Sequence, residues 1–229
     1  MLTLLLIETC QFYRRDSMLV KNDYVNKQLV VTVRENDSMK KAVQTLAESG
    51  YRCIPVLDET GEKYVGNIYK VDLLKYEREH ESESLVQPLT ELITDQDKGH
   101  IKEDDPFFKV FSNIKQLPFL AVVNDEKDFL GILTNGNVIQ VLENAWGVHN
   151  GSFSLTIGTI EYAGVLTKML KIINKYCNVQ SVISLNNDSK YVRRVCIVLP
   201  NEVDENLAKT IAQDLEDNNL TVTDIEKLS

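Results

Sequence analysis

The sequence predicts a mixed α/β (α+β) chain: two βαββα motifs in tandem, then a βαββαβ module. Three observations lead there. A glycine-led segment, Gly66-Asn67-Ile68-Tyr69-Lys70-Val71-Asp72-Leu73-Leu74, returns as Gly131-Ile132-Leu133-Thr134-Asn135-Gly136-Asn137-Val138-Ile139 at a constant offset of 65 residues. The pair Asn150-Gly151 then interrupts the repeating pattern. From Ser152 the chain alternates strictly, with Phe153, Leu155 and Ile157 on one side and Ser154 and Thr156 on the other, as a half-buried strand does. A length of 229 residues with 43% hydrophobic side chains suits two domains better than one.

Each element has its own signal. Residues 30–33 read as a strand, Asn36, Asp37 and Ser38 offer helix caps, and residues 39–49 carry Val43, Leu46 and Ala47 at helical spacing. Gly50 closes that helix. In the second copy Ile101 ends a short strand, Asp105-Pro106 gives a cap with proline at the first helical position, and Phe107, Val110, Phe111 and Ile114 form the apolar stripe. The run from Cys53 to Asp58 is answered by that from Phe119 to Asn124, each an apolar strand entering a polar turn. Residues 75–91, with Glu77, Arg78, Glu79, Glu81 and Glu83, read as a solvated helix end and linker. Met39 and Met169 lie on helical stripes and are expected in the core.

The start of the chain is apolar from Leu2 to Ile7, and Arg14 and Arg15 follow that run instead of preceding it. This order is the reverse of a secretory signal, and the run is too short to span a bilayer. Residues 1–17 are therefore expected to lie outside the fold.

After Gly151, an amphipathic helix is expected over 164–176 from Val165, Leu166, Met169, Leu170, Ile172 and Ile173. Residues 179–185 and 191–199 read as a hairpin about Asn186-Asn187-Asp188-Ser189. A helix follows over 204–218, with Leu207, Ile211 and Leu215 at four-residue steps, and a strand over 220–225. The resulting βαββαβ order is ferredoxin-like.

The paired copies resemble the CBS family, whose βαββα motifs come in tandem and end in Gly-apolar-apolar-(Ser/Thr)-x-x-Asp. The resemblance covers residues 18–146 and divides the chain into motif 1 (18–79), motif 2 (80–148) and a C-terminal module (149–229). It implies pseudo-twofold packing and a cleft that takes adenosine-containing ligands. Glu161-Tyr162-Ala163-Gly164-Val165-Leu166 resembles the strand-to-helix turn of ACT domains, small-molecule-binding regulatory modules in which the glycine admits a ligand. A CBS pair followed by an ACT domain is similar to the acetoin-utilisation-B type of bacterial protein, and the CBS pair to the cyclic-di-AMP-binding CBS proteins of Gram-positive bacteria.

An adenine nucleotide needs apolar walls for the base, hydroxyl or amide groups for the ribose, and cations or N–H groups for phosphate. By resemblance, Tyr51, Cys53, Ile54 and Pro55 line the base, with Leu29 opposite them on the first strand. Lys27 and Arg52 are the nearest cations, and Thr134, Asn135 and Asn137 fall on the turn that holds ribose or phosphate. Tyr69 and Asp72 mark a possible second site in the first copy, and Gly164 a possible ligand contact in the ACT-like module. Asp72, Thr134 and Asn137 each also precede an apolar helical run and read alternatively as N-caps, Asp72 above all. Asn137 replaces the family's acid by an amide, removing a charge that would repel a phosphodiester, which favours cyclic-di-AMP over AMP.

The formal charge of −9 repels nucleic acid and anionic lipid, so neither is an expected partner. The four cysteines form no CxxC, and the three histidines are scattered, so no disulfide framework and no metal are expected, and a reducing cytoplasm fits. The sequence holds no GxSxG, HExxH or Walker A loop and no complete GxGxxG. A non-enzymatic sensor without cofactor is expected: a homodimer that binds an adenine nucleotide and signals to a target protein the sequence does not name. The alternative is an amino-acid sensor acting through the ACT-like module on a metabolic enzyme, with AMP or ATP on the CBS pair.

Overall fold

The structure, a computed structural model, describes residues 20–80, 87–93, 99–159, 163–186 and 193–228. Residues 1–17, Glu81, Glu83, Glu161, Tyr162 and the hairpin residues Asn187, Asp188 and Ser189 lie outside the described residues. Contacts divide the chain into two compact units, residues 1–138 and 139–229.

The first unit opens with a 3-10 turn, Val20–Asn22, followed by β1 (Val25–Asn26), a second 3-10 turn (Lys27–Leu29) and β2 (Val33–Arg34). Then come α1 (Met39–Ser49), β3 (Cys53–Leu57), β4 (Tyr64–Tyr69) and α2 (Lys70–Glu79). After a 3-10 turn at Leu89–Leu92, the second copy runs through β5 (His100–Lys102), α3 (Val110–Asn113) flanked by 3-10 turns, β6 (Phe119–Val123), β7 (Phe129–Thr134) and α4 (Asn135–Trp146). The glycine-led strands and the starts of the helices after them keep the 65-residue register read from the sequence.

Two sheets result, β2-β3-β4 and β1-β7-β6-β5. In each, the short first strand of the copy runs parallel to the next, and the last two strands are antiparallel. The strand β1 precedes the first copy but belongs to the sheet of the second, pairing Val25 with Ile132 and Asn26 with Gly131. Both repeated glycines stand where another segment comes close. A Cβ on Gly131 would stand 2.0 Å from the Val25 carbonyl oxygen, and one on Gly66 would stand 2.4 Å from Ile93 Cγ2. Each glycine admits a segment laid across its strand.

Ile54, Val56 and Ile68 pack with Met39, Ala42, Leu46, Leu73 and Leu89 into the core of the first copy. Each such burial contributes about 1.5–3 kcal/mol against exposure. On the opposite face Leu57, Ala121 and Phe129 join the copies, and Tyr64 stacks on Phe129 with centroids 6.2 Å apart. The turns before β4 and β7 are clasped as well. Lys63 donates to the Glu126 carbonyl at 2.8 Å and pairs with Asp128 at 3.1 Å, while Phe129 N donates to the Glu62 carbonyl at 2.6 Å.

Several local expectations change. The strand expected over 30–33 is displaced: Leu29 ends a 3-10 turn, and the pairing falls on Val25–Asn26 and Val33–Arg34, because the chain leaves one sheet and joins the other. Asp105 does not cap a helix begun by Pro106. Its carboxylate accepts from Lys102 N at 3.1 Å, and Pro106 keeps an extended ψ of 134°, so the helix starts after it. The linker is not wholly solvated, since Leu89 is fully buried. Ser38 and Gly50 do cap α1, by a bond from Lys41 N and a left-handed φ of 73° respectively. Met39 and Met169 are both buried.

The second unit is β8 (Gly151–Thr159), α5 (Val165–Ile173), β9 (Ser181–Asn186), β10 (Arg193–Pro200), α6 (Glu205–Asp217) and β11 (Thr221–Lys227). Its antiparallel sheet runs β11-β8-β10-β9, the ferredoxin-like order. Phe153, Leu155 and Ile157 of β8 pack with Val195, Ile197 and Leu199 of β10 against Met169 and Ile173 of α5 and Ile211 and Leu215 of α6. Ser181 Oγ donates to the Trp146 carbonyl, tying the end of α4 to this unit, and the division at residue 139 falls inside that helix.

Candidate ligand cleft

A cleft of about 420 Å³ opens in the first unit where the two copies meet. One wall is the segment Gly50 to Pro55, which brings β3 out of α1. The other is Pro118 and Phe119 at the start of β6, with Ile132 and Thr134 on β7. Val25, Leu29, Val30 and Val31 complete the lining where the chain passes between the sheets. The walls are mainly apolar, with Arg52, Tyr51 and Thr134 as the polar side chains. No carboxylate stands among the described lining residues.

Of the ten residues proposed from sequence for this cleft, seven meet at it: Leu29, Tyr51, Arg52, Cys53, Ile54, Pro55 and Thr134. The other three are not among its lining residues. Lys27 forms an ion pair with Glu62 at 2.9 Å. Asn135 donates to the Leu117 carbonyl at 3.4 Å. Asn137 is a positioning residue: its Oδ1 accepts from Thr134 Oγ1 at 2.6 Å and from Thr134 N at 3.1 Å, while Asn137 N donates to Thr134 Oγ1 at 3.1 Å. The hydroxyl that caps α4 is therefore also the one that lines the cleft, and capping and lining are not alternatives here.

In the first copy, Asp72 lies in the first turn of α2 and pairs with Lys75 at 3.6 Å, while Tyr69 takes the N-cap position with no side-chain cap bond. Asn67 stands where the second copy has Ile132. Asn67 is 1% exposed; its Oδ1 accepts from the Tyr64 hydroxyl at 2.9 Å, and its amide nitrogen is buried without a partner. In the second unit, Gly164 begins α5 with a φ of 89° and borders a separate cavity of about 410 Å³ with Lys168, Lys171, Lys175 and Asn218.

Sequence reading missed the residues that set the frame of the cleft. Val25 and Pro118 line it from a two-residue strand and a loop, where periodicity is too short to register, and Val30 and Val31, expected on a strand, line it from the stretch between the 3-10 turn and β2. The Asp128 carboxyl, which helps hold the copies together, is kept below the usual carboxylate range by Asn124 and Lys63. Among the described residues no group of His, Cys, Asp and Glu is arranged to hold a metal ion, and no helix is long and apolar enough to cross a membrane.

Residues 20–79 match the family model for the CBS domain. Cyclic di-AMP receptor B of Bacillus subtilis (strain 168) is 33% identical over 118 residues, which cover 49% of this chain and 78% of that one. This chain belongs to the CBS-domain family. Among solved structures, the CBS-domain protein superposes on CbpB in complex with c-di-AMP with a TM-score of 0.51 and 21% identity, covering 59% of this chain and 91% of that one. That likeness shows the CBS fold. A CBS domain-containing protein of unknown function from Bacillus anthracis str. Ames Ancestor is 28% identical, with a TM-score of 0.49, over 55% of this chain and 92% of that chain. The second copy of the CBS-domain protein, outside the span of the family model, is joined to the first by the 65-residue register of its strands and helices.

Proposed function

We propose that this CBS-domain protein is a non-enzymatic regulatory sensor that binds an adenine nucleotide, with cyclic-di-AMP preferred, in the cleft between its two copies. The observation that carries the reading is the cleft itself: apolar walls from both copies, the Arg52 guanidinium, the Thr134 hydroxyl and no carboxylate among the described lining residues. Such a lining suits a purine with an anionic linkage. The amide of Asn137, where the family pattern has an acid, keeps negative charge away from a phosphodiester. Kinship with cyclic di-AMP receptor B supports the same ligand. Leu29, Tyr51, Arg52, Cys53, Ile54, Pro55 and Thr134 form the site; Lys27, Asn135 and Asn137 support it; and Tyr69 and Asp72 mark a second place for a ligand.

Ligand in the cleft favours one arrangement of the pair, 18–79 with 80–148, and so changes a surface offered to a target protein. Val71 and Leu74, exposed on α2, support a homodimer through the helices. We place the protein in the bacterial cytoplasm. Isothermal titration of the full chain with cyclic-di-AMP, AMP, ATP and NAD tests the reading. Cyclic-di-AMP is expected to bind tightest; tightest binding of AMP would overturn the preference, and binding of none would overturn the function.

A second reading rests on the second unit. Its ferredoxin-like order, the left-handed Gly164 and the lysine-lined cavity beside it suit an ACT-like module, 149–229, that senses an amino acid through its carboxylate. Thermal stabilisation by amino acids, and not by nucleotides, would favour it.

A further inference from the structure

The chain passes from its first unit to its second between Val138 and Ile139, and that point lies inside α4. A helix of 12 residues is about 18 Å long, and from Val138 to Trp146 this one holds neither glycine nor proline, so it has no weak point at which to bend. Its start is held without slack. Thr134 is the last residue of β7 and lines the cleft, α4 begins at the next residue, and Asn137 Oδ1 accepts from both Thr134 Oγ1 and Thr134 N. The equivalent helix of the first copy, α2, has no such lock, since its N-cap Tyr69 makes no side-chain cap bond.

The far end of α4 is held as closely. Gly147 turns left-handed with a φ of 73°, Gly147 N donates to the Asn144 carbonyl, and Val148 N donates to the Glu143 carbonyl, the pair of bonds that closes a helix. This closed end sits against the second unit's own sheet. A Cβ on Gly147 would stand 2.7 Å from Gln180 Cγ, one on Gly151 would stand 2.3 Å from Val198 Cγ1, and Ser181 Oγ donates to the Trp146 carbonyl at 2.7 Å. Ser181 opens β9, which pairs with β10 alone among the described strands and is therefore held on one side only. Resting on the nucleotide reading above, we propose that α4 is a rigid relay: a ligand felt at Thr134 shifts the helix as one body and changes how firmly β9 is held. The message emerges at the edge of the second sheet, where Val182 and Leu185 are exposed.

The test is hydrogen exchange at the β9 amides of the full chain, with and without saturating cyclic-di-AMP or AMP, whichever titration shows to bind tighter. Exchange in β9 is expected to change about fivefold, the low end of coupling between distinct sites, while β11 at the opposite edge of the same sheet stays unchanged. Gln140→Gly together with Asn144→Gly, at exposed positions of α4, softens the helix and is expected to bring the change below about twofold with nucleotide affinity kept. Gln140→Ala together with Asn144→Ala removes the same side chains, keeps the helix and keeps the full change. Ser181→Ala leaves α4 whole but cuts its tie to β9, and it reduces the change as the glycine pair does; it decides alone if the glycine pair does not fold. An unchanged β9 in the saturated protein, an equal change in β11, a change that survives the glycine pair or Ser181→Ala, or its loss in the alanine pair overturns the relay and leaves the nucleotide reading standing. A chain that binds neither nucleotide overturns both.

Discussion

The Lys109 ammonium donates to Asp105 Oδ1 at 2.7 Å, while the other carboxylate oxygen accepts from Lys102 N at 3.1 Å. The first copy holds the same knot: Lys41 Nζ lies 2.7 Å from Asp37 Oδ1, and Arg34 N donates to Asp37 Oδ2 at 2.9 Å. Each aspartate pins the exit of its first strand to the start of its first helix. The equivalence shows in the residue types as well: Arg34, Asp37 and Lys41 answer to Lys102, Asp105 and Lys109 at a constant offset of 68 residues.

Burial pushes the carboxyls of Asp37 and Asp105 up, but the lysine bonds, the backbone N–H groups and the nearby charges hold both below the ordinary value. A carboxyl depressed in the folded state adds stability that is complete above its unfolded pKa and is lost as pH falls through the folded one. Asp37→Asn and Asp105→Asn are therefore expected to melt below the unaltered protein by a constant margin from pH 7 down to about 5, a margin that shrinks below about 4. Melting curves across that range check it, and a margin that grows in acid would contradict it.

Gly131→Ala forces a Cβ onto the Val25 carbonyl and the Tyr24 ring. The backbone of β1 must shift, at a cost of about 1–3 kcal/mol, and the amides at the β1–β7 edge should lose protection from hydrogen exchange. Denaturant titration and exchange at Ile132 measure both, and an unchanged midpoint would show that the crossing strand is not closely held.

Thr134→Val keeps the shape of the side chain and removes the hydroxyl shared by the α4 cap and the cleft. Loss of the cap costs about 1 kcal/mol. Nucleotide affinity is expected to fall about three- to tenfold, as for one net hydrogen bond. Asn137→Ala should reduce affinity in the same direction although Asn137 does not line the cleft, because the threonine loses its orienting partner.

Asn67→Leu replaces a buried amide that lacks a partner for its nitrogen. Removing an unmet donor is expected to raise stability by about 1 kcal/mol. Tyr64, only partly buried, gives up one acceptor in exchange. A lower melting temperature would mean that the amide makes a contact essential to the fold.

The sequence made visible whatever rests on repetition or on a full period of side chains. The register of Gly66 and Gly131 placed β4, β7 and the helices after them, and the alternation from Ser152 placed β8. What stayed hidden depends on meetings between distant segments. Val25 and Asn26 make too short a strand to announce itself, and only the sheet of the other copy gives them one. Leu29 was expected on a strand and lies at a turn for the same reason. Lys27 reads as one of the two cations nearest the base-lining strand, and its ion pair with Glu62, 35 residues on, has no signal in the sequence.

The exchange of β1 into the partner sheet has a consequence during synthesis. The pocket wall at Val25 leaves the ribosome early, but its pairing partner Ile132 arrives only after both copies have been made. The crevice is therefore closed on this side only by a pairing of long sequence separation, in a single late step rather than in two instalments.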